Sequence, residues 1–423
     1  NTNQRSWSAR AEVVLPAGGF GNFDPAIIIR NGKGAVVWDE DGNEYVDFLI
    51  GSGPMMLGHG HPEVLAAVKE QCEKGMTFFA NNTAGIELAE EICNAVTAAE
   101  QLRYVSTGGE ADMYAMRLAR AYTKRDKIIK FEGGYHGMSS ESLMSLAPTT
   151  LKDFPAAVPD SAGIPDSVRD NMLIAPFNDG DYVVQLIEQY KSEVAAIIVE
   201  PLQRLIPPAP GFLQLLREQA SKYGIVLIFD EVVTGFRLAY GGAQELYGVI
   251  PDLCTLGKVI GGGFPLAAIA GKSEIMAHFD QNKAGAGGFT YQIGTLSGNP
   301  VAAMAGLKTL EIMKRSGGYE KLRENGDFVM QSITKHLSKA GIPHQLVGDP
   351  VLFDVVFTSQ NAVQDYRDFI SCDFGRARQF NQLLREQGIL KPDTKFYISL
   401  ALTTENLDRA DAAISYAAAR LSG

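Results

Sequence analysis

The sequence predicts an α/β protein, with a mostly parallel sheet covered by helices in a large domain and a smaller α+β domain beside it in the chain. Three observations lead there. Short runs that are apolar apart from Lys127 and Lys130, K-I-I-K-F at 127–131, V-A-A-I-I-V at 194–199 and V-L-I-F at 226–229, alternate with segments of helical spacing, as strands buried on both faces do. Glycine is abundant, 44 of 423 residues, and clusters after these runs, which suits loops that approach a ligand closely. Beyond about Gly317 the alternation gives way to helix, strand V-L-F-D-V-V-F, helix, strand F-Y-I-S-L and a final helix.

The elements follow in order. Residues 1–24 begin with a short helix and pass into the loop L-P-A-G-G-F-G-N-F. The stretch 26–48 reads as strands joined at Asp41-Gly42, a hairpin turn signal. Pro62 opens an amphipathic helix with Val64, Leu65, Val68 and Cys72 as its apolar positions. A helix is expected over 86–98, with Leu88, Ile92 and Val96 at four-residue spacing. Then L-R-Y-V-S is a strand, T-G-G-E-A opens a helix to Thr123, and K-I-I-K-F leads into G-G-Y-H-G. V-A-A-I-I-V-E-P, the helix G-F-L-Q-L-L-R-E-Q-A-S-K-Y-G, V-L-I-F-D-E-V, D-L-C-T-L-G and F-P-L-A-A-I-A-G continue the pattern up to the long helix from Asn299. In such sheets ligands sit beyond the carboxyl ends of the strands.

Composition excludes several function classes. A net charge of −11 argues against a general nucleic-acid binder. No apolar run reaches the roughly 18 residues of a membrane span, and N-T-N-Q-R-S-W-S-A-R carries no signal-peptide h-region. Cys72, Cys93, Cys254 and Cys372 are scattered, which fits neither a zinc site nor a disulfide framework and suits reduced thiols in the cytoplasm. His59 and His61 have no third ligand nearby in sequence and read as loop residues. I-A-G-K-S at 269–273 lacks the first glycine of a nucleotide loop, Leu266 standing there.

The chemistry gathers at strand ends. Lys258, in T-L-G-K-V-I-G-G-G-F-P, lies between a glycine and an apolar pair. Desolvation disfavours its charge, and a neutral amine forms a Schiff base with a carbonyl and shuttles protons. Asp230 ends the strand V-L-I-F-D-E-V, where a carboxylate can hold a pyridine nitrogen protonated, as a pyridoxal-phosphate site needs. Two-residue periodicity turns Val232 to the same side and Glu231 away. Thr107-Gly108-Gly109, between a strand and a helix, offers backbone N–H groups and a helix dipole to an anion.

Together these motifs resemble the class III pyridoxal-phosphate aminotransferases, the family that also holds glutamate-1-semialdehyde aminomutase, from about Gly32 to Pro300 and more weakly to the end. The resemblance implies fold type I, bound pyridoxal 5′-phosphate and a homodimer with shared sites. It divides the chain into a small domain made of 1–75 and 317–423 around a large cofactor-binding domain, 76–316. It implies that Tyr135 stacks on the cofactor ring and that His136 lies behind it. Gln203 would stand beside the phenolic oxygen, with Glu200 orienting its neighbours. Thr295 would reach the phosphate of the neighbouring subunit. Gly109 stands where the family often has threonine.

Two chemistries share the scaffold. T-G-F-R-L-A-Y-G-G-A-Q and G-T-L-S-G-N-P are similar to the aminomutase, and E-P-L-Q to the aminotransferases. The aminomutase grips its substrate carboxylate with an arginine in the N-terminal loop; Leu15 to Pro25 contains none. Glutamate-using aminotransferases carry a glutamate after their E-P-V-Q-G; here R-L-I-P-P follows. The expectation is an aminotransferase that moves an amino group between an amine or a β- or ω-amino compound and a keto acid or aldehyde. Phe23 would line its entrance and Arg204 would be a carboxylate anchor. The alternative is the aminomutase; a non-catalytic binder on the same fold is a third reading, opposed by intact Lys258 and Asp230.

Overall fold

A computed structural model describes residues 2–285 and 287–421. Two compact units emerge: Asn1–Leu65, Arg315–Asn361 and Cys372–Gly423 form one, Ala66–Lys314 and Ala362–Ser371 the other. The expected boundary 316/317 stands two residues from the observed one, and 75/76 stands ten residues beyond 65/66. The assignment of 362–371 to the second unit was not anticipated.

The larger unit is built on seven strands: β1 Gln101–Val105, β2 Lys127–Phe131, β3 Met172–Ala175, β4 Val194–Val199, β5 Val226–Glu231, β6 Leu253–Leu256 and β7 Ala267–Gly271. Their order is β1-β7-β6-β5-β4-β2-β3. The neighbours from β6 to β3 are parallel, and β7 runs antiparallel to both β6 and β1. Six strands therefore share one direction. β2, β4 and β5 contain no exposed residue, the burial that a sheet covered on both faces demands. β3 was missed because four residues, M-L-I-A, are too few to declare a period.

Helix Gly108–Thr123 follows β1 and buries Ala111, Asp112, Ala115, Met116, Leu118 and Ala119. Helix Phe212–Tyr223 links β4 to β5, capped at its end by Gly224 with φ 61°. The helix expected at 86–98 spans Thr83–Ala95, because Asn82 caps it by accepting from Gly85 N–H. In helix Pro62–Lys74 the apolar reading was half right: Val64 is buried, yet Leu65 and Cys72 are exposed and Gln71 is buried instead.

Helix Pro300–Met313 lies against the turn Lys258–Gly261 through small residues. A Cβ on Gly306 would stand 1.8 Å from the Ile260 carbonyl oxygen, and one on Gly262 would stand 2.5 Å from the Ala305 backbone. Both clashes are with backbone, which cannot swing aside. Gly306→Ala is therefore expected to cost about 1–3 kcal/mol. A denaturant midpoint equal to wild type would contradict this packing.

The smaller unit carries the antiparallel strands Ile29–Lys33, Val36–Asp39 and Glu44–Asp47, with Asp41-Gly42 in the turn as expected. Ile389–Leu390 joins them in parallel. A second sheet pairs Gln345–Asp349, Leu352–Val356 and Phe396–Tyr397. Among the described residues, no helix is long and apolar enough to cross a membrane.

Candidate active site at the carboxyl end of the sheet

The shared direction of the strands brings five connections to one end of the sheet. β1 delivers Thr107, β2 the loop with Tyr135 and His136, and β4 Glu200 and Gln203. β5 delivers Asp230 and Val232, and β6 delivers Lys258. Asp230 is level with Thr255 in the β5/β6 ladder, so Lys258 follows three residues beyond that rung. Lys258 adopts φ +48°, a conformation that L residues seldom hold without a functional or packing cause.

Asp230 is buried, 5% exposed. Its Oδ2 lies 2.8 Å from His136 Nδ1, and its Oδ1 accepts from Val232 N–H at 3.0 Å. Beside a carboxylate, Nδ1 is the protonated nitrogen of His136. Glu231, turned away as expected, accepts from Thr234, Ala243 and Gln244 and has a structural role.

Thr107 caps helix Gly108–Thr123: its hydroxyl accepts from Glu110 N–H, while the Glu110 carboxylate accepts from Thr107 N–H. The first helical N–H groups, of Gly108 and Gly109, have no acceptor within the helix. The surroundings leave no room for a side chain at Gly108 and little at Gly109. A Cβ on Gly108 would stand 2.7 Å from Val232 Cγ1 and one on Gly109 3.2 Å from Gly137 Cα. Gly137, at φ +83°, would itself meet Gly109 Cα at 2.3 Å.

The loop after β2 is held by backbone contacts to charged side chains. Tyr135 N–H donates to Glu200 at 2.8 Å, and the residue is 47% exposed. Lys130, fully buried, donates to the Gly134 carbonyl at 2.6 Å. Burial pushes its pKa down to about 7 from 10.5, against the pull of Glu200. Folding thus releases a proton between those two values, and stability falls as pH drops through that window. Relative to Lys130→Met, wild type is expected to weaken as pH falls from about 10 to about 7 and to change no further below. Unfolding curves in parallel across that range measure it; a constant difference would contradict it.

Gln203 is fully buried and donates through Nε2 to the Glu132 carbonyl at 2.8 Å. It opens a tight turn that Ile206 N–H closes onto the Gln203 carbonyl, with Arg204 and Leu205 at φ 47° and 68°. The turn carries no Asn-Gly to announce it.

Arg204 is where the structure departs from expectation. Its Nε donates to the Gly133 carbonyl and its Nη2 to the Leu146 carbonyl, both at 2.6 Å. Its guanidinium carbon lies 5.2 Å from the Tyr366 ring centroid. Those contacts hold the β2 loop and leave the carboxylate-anchor assignment without geometric support. Phe23 belongs to the smaller unit, 6.0 Å from the Arg385 guanidinium carbon. Thr295 is exposed on the larger unit.

Sequence reasoning missed Asp112, Thr255, Lys130 and Gly137. Asp112 had a visible signal: an acidic residue on the same helical stripe as Ala115, Met116 and Ala119. Thr255 had none.

Three observations fit pyridoxal phosphate. Gly108, Gly109 and Gly137 form a cradle that a Cβ would fill, at a helix start suited to a phosphate. Gln203 Oε1 and His136 Nε2 are buried with no hydrogen-bond partner among the described residues. A buried, oriented carboxylate suits a protonated pyridine. Fold and site define a pyridoxal-phosphate-dependent enzyme of fold type I.

The sequence model for "Aminotransferase class-III" matches residues 21–417, and the chain belongs to that family. It is 43% identical over 391 residues to glutamate-1-semialdehyde 2,1-aminomutase 2 of Brevibacillus brevis, covering 90% of this chain and 89% of that protein. An omega-transaminase from Sphaerobacter thermophilus superposes with a TM-score of 0.92 at 34% identity, covering 99% and 97% of the two chains. A beta-phenylalanine aminotransferase from Variovorax paradoxus gives 0.86 at 31%, covering 98% and 92%.

Proposed function

We propose that this enzyme is an aminotransferase acting on an amine or a β- or ω-amino compound, with a keto acid or aldehyde as acceptor. The observation that carries the reading is the loop from Leu15 to Pro25, which holds no arginine to grip a substrate carboxylate. The names of the two similar solved structures point the same way. The second reading, glutamate-1-semialdehyde aminomutase, is favoured by the 43% identity to proteins of that name.

Pyridoxal phosphate, when bound, supplies an electron-withdrawing ring and a carbon that accepts the amino group. The Gly108 and Gly109 N–H groups would bind its phosphate, and Asp230 would keep the proton on the ring nitrogen. Val232 and Tyr135 would stand at the ring faces. The orphaned Gln203 Oε1 would face the phenolic oxygen. Lys258 would carry the proton to and from the substrate α-carbon.

A homodimer with Thr295 serving the neighbouring site completes the proposal. Met76, Phe78, Phe79, Ile86, Tyr291, Ile293 and Leu296 are all exposed on the larger unit, and Phe79, Ile86 and Ile293 line one groove of about 990 Å³ along β1. Exposed apolar surface of this extent suits a partner. Four free cysteines suit a cytoplasmic location.

The test is a panel of amines, β-amino acids and α-amino acids with pyruvate or 2-oxoglutarate, followed through the visible band of the bound cofactor. Glutamate-1-semialdehyde is assayed beside them. Faster formation of 5-aminolevulinate than of any transamination product would replace the first reading by the second.

A further inference from the structure

Asp112 is a buried carboxyl group with no ion pair to a cation among the described residues. It is 1% exposed, on the helix face shared with Ala115, Met116 and Ala119. Its Oδ1 accepts from the Thr255 hydroxyl at 2.6 Å, and the same hydroxyl lies 3.4 Å from Asp230 Oδ1. One hydroxyl hydrogen serves one short bond, and distance assigns it to Asp112. Asp230 itself is a further polar neighbour, its carboxylate within 4.8 Å of that of Asp112 and acting on it side chain to side chain. Ligand-type atoms of Asp112, His136 and Asp230 all lie within 4.8 Å of one another.

Two buried carboxyl groups in contact do not both ionise; they hold a proton between them. The surroundings decide which one keeps it. Asp230 has the His136 ring N–H and the Val232 N–H, both suited to a negative charge. Asp112 has only a hydroxyl. The titratable groups that face Asp112 are Asp230 from β5, His136 from the loop after β2 and Glu200 from the end of β4. Burial first, then the Asp230 charge, raises its pKa well above the carboxylate range, and Glu200 adds to the rise.

We propose that Asp112 is a positioning residue for the cofactor: a neutral carboxylic acid whose O–H donates to Asp230, leaving Asp230 to carry the charge that faces the ring nitrogen. The inference rests on Asp230 being the ring-nitrogen partner. Thr255 fixes one oxygen of Asp112, so the protonated oxygen is the one turned to Asp230. Asp230 thereby gains a third hydrogen-bond donor, which fixes its plane without adding a competing cation.

The experiment uses the full chain loaded with pyridoxal phosphate, as wild type, Asp112→Asn, Asp112→Ala and Asp230→Asn. The infrared difference between wild type and Asp112→Asn at neutral pH is expected to contain the C=O stretch of a protonated carboxyl. Its absence overturns the proposal. Asparagine keeps the shape and an N–H for Asp230, so the Asp112→Asn dissociation constant for pyridoxal phosphate is expected within about threefold of wild type. Alanine leaves a buried acceptor without its donor, and about tenfold weaker binding is expected. Equal losses in the two variants would show that a negative charge at 112 is needed, and would overturn the proposal. If Asp112→Ala does not fold, the infrared band and the Asp112→Asn affinity decide. Asp230→Asn separates the two layers. Wild-type turnover in that variant removes the role of Asp230, and the proposal with it. Lost turnover with no carboxyl band in the wild type removes the role of Asp112 alone.

Discussion

Lys258→Ala is expected to lower turnover by on the order of 10⁴-fold, the upper range for loss of a positioned proton carrier. The variant should still fold, because Lys258 opens a single turn and the neighbouring Val259 and Ile260 supply its buried contacts. It should also still take up pyridoxal phosphate, since the glycine cradle and Asp230 are untouched. What it should lose is the covalent link: borohydride treatment followed by mass spectrometry is expected to fix the cofactor to wild type at Lys258 and to leave the variant unmodified. A variant that is still modified, or that turns over within tenfold of wild type, would remove Lys258 from the chemistry.

The second large effect is expected at Asp230. Asp230→Asn keeps the shape and the contact with His136 but removes the charge opposite the ring nitrogen. A fixed charge in a buried site acts with little screening. Turnover should fall by on the order of 10²-fold or more, with folding retained. The loss should appear in kcat rather than KM, because the substrate itself does not touch this carboxylate. Full activity would mean that the ring is held by another group. A loss confined to KM would mean that Asp230 acts on substrate binding.

Much of this arrangement was legible in the residues. V-A-A-I-I-V and V-L-I-F announced β4 and β5 because burial on both faces leaves no polar alternation to misread, and K-I-I-K-F announced β2 despite its two lysines. Once those strands are parallel, everything placed just after them must meet at one end, and Thr107, Tyr135, Gln203, Asp230 and Lys258 do. The illegible part lies in side chains whose partners come from far along the chain. Arg204 looked available to a ligand because the carbonyls that hold it, at 133 and 146, are 71 and 58 residues away. Asp112 looked like an ordinary helix acid, because its contacts with Thr255 and Asp230 exist only after β5 and β6 lie under the helix. The boundary shift at the helix 83–95 has a smaller cause: the cap Asn82 precedes the apolar period that drew attention to 86.

The passage of 362–371 into the larger unit has a practical consequence. The chain passes between units four times, at 65/66, 314/315, 361/362 and 371/372, so every uninterrupted fragment that contains the whole larger unit also carries 315–361 of the smaller one. A recombinant piece ending at Lys314 would lose Arg367, which donates to the buried Glu132 carboxylate at 2.8 Å. It would also lose Tyr366, whose ring stands where a Cβ on Gly133 would be, 2.5 Å from that position. Such a piece would carry Lys258 and Asp230 yet miss the clamp on the loop that bears Tyr135 and His136. Excision by protease or by cloning should therefore yield a body that binds coenzyme poorly, and adding back a peptide covering 362–371 is the direct way to restore it.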